Sequence, residues 1–233
     1  MTNKYSILEK QIDIIFDNKE LLKKALMHRS YLNEHKNLKA ESNEKLEFLG
    51  DSVLSLITSS YLFKKYPEYA EGEYTDIKAS LVKTESLTDA AIKLELGNYI
   101  FLSKGENKSG GRVNKNILAD CFEALIGAIF LEKGFNRAYK FTLDYLIEDK
   151  LGEIIDKKLY YSSKSKLQEI MQQKFKIAPD YKLVKETGPE HKRIFNIAIF
   201  FKGRKLTEGI GMTKKQAEEQ AAHKALQKLK LKF

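Results

Sequence analysis

The 233-residue chain predicts two fold classes in series: an all-α domain over residues 1–151 and, after a linker at 152–163, a small α+β domain of order α-β-β-β-α over 164–233. Three observations predict this. Up to about residue 152 the apolar residues recur at helical spacing, with little strand-like alternation. From Lys164 the pattern changes to a helix, three short alternating runs and a second helix. Charge divides at the same place: residues 1–150 carry 22 basic against 23 acidic residues, whereas residues 151–233 carry 19 against 9. A chain of this length with 42% apolar content can bury one or two cores, and the charge partition favours two.

In the first domain, Leu21, Leu22, Ala25 and Leu26 mark a helix before His28. Val53, Leu54, Leu56 and Ile57 mark another running towards Tyr61. Further helical patterns cover Leu81 to Leu96, Ile117 to Leu131 and Phe141 to Leu151, with breaks at Pro67, at Glu71-Gly72 and over Ser103 to Gly111, read as a mobile loop. The segment at 152–163 loses periodicity and carries an aromatic pair able to dock on either domain. Beyond it, KSKLQEIMQQKF reads as a helix, DYKLVKET, RIFNIAIFF and RKLTEGIGM as strands, and TKKQAEEQAAHKALQKL as the closing helix. Phe195, Ile197, Ile199 and Phe201 alternate with Ile194, Asn196, Ala198 and Phe200, so one sheet face can take both helices, and Lys202-Gly203 supplies the hairpin turn. Thr213 is placed to cap the last helix, which leaves Lys214 and Lys215 at its positive end as a phosphate clamp.

The chemistry concentrates in two acidic stripes. In NEKLEFLGD, Glu44, Glu47 and Asp51 follow i, i+3, i+7 and share one helix face; in ILADCFEAL, Asp120 and Glu123 repeat the i, i+3 step. Their apolar flanks, Leu46, Phe48, Leu49 and Val53 or Ile117, Leu118, Phe122 and Leu125, set these acids at the border of a core. Carboxylates there repel one another unless a cation joins them, and acids converging without His form an all-oxygen site suited to Mg²⁺ or Mn²⁺. The competing reading is that acids on amphipathic helices are a solvated face. Lys45 is the only cation in the first stripe, so lysine partnering does not account for it. Cys121, the lone cysteine, reads as a packing residue rather than a ligand.

NEKLEFLGD and ILADCFEALIGAIF resemble the two acidic signatures of the ribonuclease III family. GPEH at 188–191 with TKKQAEEQAA at 213–222 resembles its double-stranded RNA-binding domain. Lys45 and Asn116 stand where the family commonly has Arg and Ser, and neither change removes a carboxylate. The resemblance implies an endoribonuclease that hydrolyses double-stranded RNA with Mg²⁺, leaving 5′-phosphate and 3′-hydroxyl ends. It also implies processing of ribosomal RNA precursors and other structured RNAs in the cytoplasm. Glu47, Asp51, Asp120 and Glu123 would hold metal, with Asp51 and Glu123 central to catalysis; Glu44 would support them, as would Glu71, whose segment PEYAEGEYTDIKASLV resembles a third acidic segment. Ser165, Gln168 and Glu169 would touch one RNA minor groove and His191 a second, with Lys214 and Lys215 on the phosphates between, reading A-form shape rather than sequence. A homodimer is implied, with Phe48 inserting into the partner; plain core is the alternative for that residue. One acidic set per chain supports a dimer, since cutting two strands calls for two sites.

Other chemistries fit less well. A ribonuclease working through the 2′-hydroxyl wants a His acid/base pair, and His28, His35, His191 and His223 lie in unlike contexts; His28, in ALMHRSYLNE, reads as structural. No apolar run is long enough for a membrane span, and the N-terminus shows no signal-peptide core, so a cytoplasmic protein without a membrane partner is expected. A noncatalytic RNA-binding protein would be expected to lack some of the four principal acids, and a general binder of acidic surfaces would not prefer A-form duplexes.

Overall fold

The computed structural model describes residues 4–156, 160–189 and 192–230. The chain divides into two compact units between Tyr160 and Tyr161.

The first unit is helical: α1 (Lys4–Gln11), α2 (Lys19–Ala25), α3 (Arg29–Glu34), α4 (Glu44–Lys65), α5 (Glu71–Leu81), α6 (Thr84–Lys93), α7 (Lys104–Lys108), α8 (Lys115–Lys133), α9 (Phe135–Thr142) and α10 (Glu148–Asp156), the last two joined by a π-helical turn at Leu143–Ile147. Its hub is α8. Eleven of its residues are buried, from Ile117 round to Ile129, because a helix surrounded by neighbours must be apolar on every side. Asn114 starts it by accepting from the amides of Asn116 and Ile117. Against it lie α2, α4, α6 and α9. The crossing with α4 is unusually close. A Cβ on Gly50 would stand 1.8 Å from the Glu123 carbonyl oxygen, and one on Gly127 would stand 2.3 Å from that of Leu46. Only glycine permits backbones this near.

Four expectations need correction. The pattern from Leu81 to Leu96 spans three elements, since α5 ends at Leu81, α6 runs over Thr84–Lys93, and a 3-10 turn begins at Leu96. Glu71-Gly72 opens α5 rather than breaking the chain, because the Glu73 carboxylate accepts from the Ala70 amide and starts the helix. The segment read as a mobile loop contains α7, capped where the Ser103 hydroxyl accepts from the Glu106 amide. The expected linker begins inside α10, which runs to Asp156 because Leu151 and Ile154 are buried. Tyr160 is buried and belongs to the first unit, whereas Tyr161 belongs to the second.

The second unit is α11 (Ser163–Phe175), β1 (Asp180–Thr187), β2 (Ile194–Phe201), β3 (Arg204–Gly211) and α12 (Lys214–Lys230), with an antiparallel sheet of order β1-β2-β3. Lys202 and Gly203, both at positive φ, turn β2 into β3. Ile197 and Ile199 are buried, and Ile199 meets Leu167 and Met171 of α11 and Ala221, Ala222 and Ala225 of α12 in one core. The alanines let α12 lie close to the sheet, and the buried Thr207 hydroxyl donates to the Ala221 carbonyl at 2.8 Å.

Candidate functional site

The close crossing of α4 and α8 decides which acids meet. Glu47 lies one turn before Gly50, and Glu123 one turn before Gly127, so the two glycines that bring the backbones together also bring these carboxylates together. Oxygens of Glu47, Asp120 and Glu123 lie within 4.8 Å of one another. All three are partly buried, and among the described residues none of them is in an ion pair.

The electrostatics follow from that geometry. Burial first, then the charges of Asp51, Glu47 and Asp120, push the Glu123 carboxyl up to about 8. Glu47 is raised by burial and then by Asp120, Glu44 and Asp51. Asp120 is raised by burial, with His28 and Arg29 acting in the opposite direction. Asp51 is exposed and stands outside the tight group, one turn further along α4, yet its charge acts on both glutamates. The donor set is wholly oxygen and is short of positive charge, which fits a hard divalent cation. Cys121 faces away: it is fully buried, its thiol approaches the Ala25 carbonyl at 3.7 Å, and burial pushes it up to about 12, so it packs as a small apolar group.

The remaining residues singled out from the sequence sort differently. Glu44 is exposed and occupied elsewhere, accepting from the Ser42 hydroxyl at 2.7 Å and lying 3.7 Å from Arg29. Glu71 opens α5 on the far side of the Pro67 break and accepts from the Thr75 hydroxyl at 3.1 Å; it does not join the cluster of three. His28 caps α3, its Nδ1 accepting from the Ser30 amide, which supports a structural role. Phe48, expected either at the core border or in an interface, is 79% exposed. The helix turns it away from Leu46, so it is no part of this chain's own core. Gly50 and Gly127 were not anticipated as site residues; their signal was present as a glycine one turn after an acid in both EFLGD and FEALIG.

In the second unit, Ser162 caps α11 by accepting from the Ser165 amide at 3.0 Å. Gln168 and Glu169 are exposed on that helix. The Thr213 hydroxyl accepts from the Gln216 amide at 3.1 Å, and Lys214 and Lys215 are exposed in the first turn of α12. His191 lies outside the described residues.

Residues 18–150 match the Ribonuclease-III-like family, and residues 163–229 match the double-stranded RNA binding motif. The chain is 45% identical over 221 residues to Ribonuclease 3 of Treponema denticola, spanning 95% of this chain and 89% of that one. It is 42% identical over 230 residues to Ribonuclease 3 of Listeria monocytogenes, spanning 97% and 98%. The nuclease domain of ribonuclease III from Campylobacter jejuni superposes with a TM-score of 0.58 at 39% identity, over 64% of this chain and 97% of that one. A second structure of that domain, described by flexibility in a region involved in dimer formation, gives a TM-score of 0.57 at 40% identity over 61% and 96%. With both units matched in order and relatives aligned over nearly its whole length, the chain belongs to the ribonuclease III family.

Proposed function

We propose that this chain, an endoribonuclease acting on double-stranded RNA, cuts by Mg²⁺-assisted phosphodiester hydrolysis at Glu47, Asp51, Asp120 and Glu123, releasing 5′-phosphate and 3′-hydroxyl ends. The observation that carries the reading is the convergence of three partly buried carboxylates, where burial first and then the neighbouring charges push the Glu123 carboxyl up to about 8. A bound divalent ion supplies charge neutralisation for the phosphodiester and an activated water. The chain's own groups arrange for that ion. Glu123 would hold the ion as a carboxylate, its proton passing to solvent water on binding. Glu47 reaches across from α4, and Asp51 closes the set from the solvent side. His28 and Arg29 favour the ionised form of Asp120.

A second copy of the chain completes the reading. Each chain holds one such acid set, whereas a duplex presents two strands, and two-fold symmetry supplies the second site. Phe48, Leu56 and Phe63, all exposed on α4, form an apolar strip beside the acids that a partner subunit would cover, Phe48 inserting into it. Glu44 and Glu71 remain supporting acids near the RNA path. Precursors of ribosomal RNA and other structured RNAs in the cytoplasm are the proposed substrates, and no described helix is long and apolar enough to cross a membrane.

The second unit carries the duplex. Ser165, Gln168 and Glu169 face one minor groove, His191 a second, and Lys214 and Lys215 the phosphates between. Alanine at both lysines is expected to weaken duplex binding and to lower the salt slope by about one for each phosphate no longer neutralised. An unchanged slope in a binding titration across salt concentrations removes the clamp.

The test of the whole reading is cleavage of end-labelled duplex RNA in Mg²⁺, in Mn²⁺ and in chelator, with the product ends identified. Cleavage confined to the metal-containing reactions, leaving 5′-phosphates, is the expected result. Equal cleavage in chelator would overturn the metal mechanism.

A further inference from the structure

We infer that Tyr161 is a positioning residue that determines specificity: it sets the Glu169 carboxylate on α11 to accept 2′-hydroxyls, which makes the second unit prefer duplex RNA over duplex DNA. The inference rests on the reading of this unit as the duplex-binding module.

An exposed glutamate on a helix surface ordinarily samples several rotamers. Here both of its oxygens are held. The Tyr161 hydroxyl donates to Glu169 Oε2 at 2.5 Å, and the Gln173 amide donates to Oε1 at 3.0 Å. A carboxylate can accept about four hydrogen bonds, so each oxygen keeps a free acceptor direction towards solvent.

Tyr161 is itself fixed by the residues next to it in the chain. Ser162 caps α11, and the Glu219 carboxylate of α12 accepts from the amides of Ser163 and Lys164. The tyrosine therefore enters from a clamped helix start.

The surroundings state what Glu169 can recognise. It lines one shallow groove with Ser165, Gln168, Gln172 and Gln173, and among these described residues it alone is charged. A negative charge in that position repels phosphates, so its partner is a neutral donor between them. The 2′-hydroxyl is such a donor along every RNA strand, and DNA has none. Against DNA the fixed carboxylate faces C–H groups and loses solvent without gaining a bond. A mobile carboxylate could swing back into water, whereas one held by Tyr161 cannot do so without breaking that hydrogen bond.

The experiment compares the full-length protein with Tyr161→Phe and Glu169→Gln, in chelator to prevent cleavage, on RNA and DNA duplexes of the same sequence across a salt series. Tyr161→Phe removes one hydroxyl, and its melting temperature reports that the fold is kept. The expected result for Tyr161→Phe is about three- to tenfold weaker binding to RNA, binding to DNA that is unchanged or tighter, and an unchanged salt slope. Equal loss on both duplexes, or no loss, overturns the role of Tyr161. If Glu169→Gln lowers the RNA preference and Tyr161→Phe does not, the groove reading stands and the tyrosine falls. A wild-type protein that binds both duplexes equally removes the module reading itself.

Discussion

Glu123→Gln is expected to leave duplex RNA bound and uncut, with single-turnover cleavage in Mg²⁺ slower by on the order of 10³-fold, about 4 kcal/mol of barrier. The substitution keeps the size of the side chain and removes the charge from the residue on which all the others act: the charges of Asp51, Glu47 and Asp120 each raise it. Binding in chelator is expected to be unchanged, because the lysines proposed to hold phosphates lie in the other unit. Stability should move in the opposite direction to activity. Glu123 is held up to about 8 in the folded protein, against an ordinary value of 4.5. Between those values the folded state binds more protons than the unfolded state, so this group makes stability fall as pH rises through that window. Without metal, the Gln variant is therefore expected to be more stable at neutral pH by about 1–2 kcal/mol after allowance for solvent screening, and by less near pH 5. Thermal denaturation at both pH values measures this. A variant that is less stable than wild type at neutral pH, or that cuts at the wild-type rate, would refute the assignment of Glu123.

Gly50→Ala is expected to cost roughly 3 kcal/mol or more and to abolish cleavage together with stability. The added methyl would fall 1.8 Å from the Glu123 carbonyl oxygen, which is helix backbone and cannot rotate aside. Relief requires α4 to move away from α8, and that movement separates Glu47 from Asp120 and Glu123. Gly127→Ala repeats the experiment from the other helix, with 2.3 Å to the Leu46 carbonyl oxygen. Gly72→Ala is the control. Its methyl meets nothing within 4 Å in the first turn of α5, so it should be neutral or stabilising by up to about 1 kcal/mol. Urea unfolding and cleavage assays on the three variants check the prediction; wild-type stability in Gly50→Ala would show that the crossing is not as close as described.

Much of the site was legible because its signals are local. Spacing placed Glu47 with Asp51 and Asp120 with Glu123 on common helix faces, and apolar flanks marked both helices as core-bordering. Strand alternation, a Lys-Gly turn and the alanine face of α12 likewise depend on residues a few positions apart. Spacing could not separate Glu44 from Glu47. Both lie in the first turn of α4, and only the arrival of α8 beside Gly50 selects the second, leaving Glu44 to Ser42 and Arg29. Nor could it place Phe48, whose apolar side chain suits a core as well as an interface until its neighbours are known.

The sequence by itself determined the two fold classes and marked two acidic stripes at the border of a core, since periodicity, composition and charge are properties of contiguous residues. The tertiary structure alone decided that three of their acids meet while Glu71 does not, that the chain divides between Tyr160 and Tyr161, and that Tyr161 reaches Glu169. The reason is physical: a distance between side chains on different elements depends on how closely two backbones approach. Here that approach is set by the absence of a Cβ at Gly50 and Gly127, which counts only once the two helices are placed against each other.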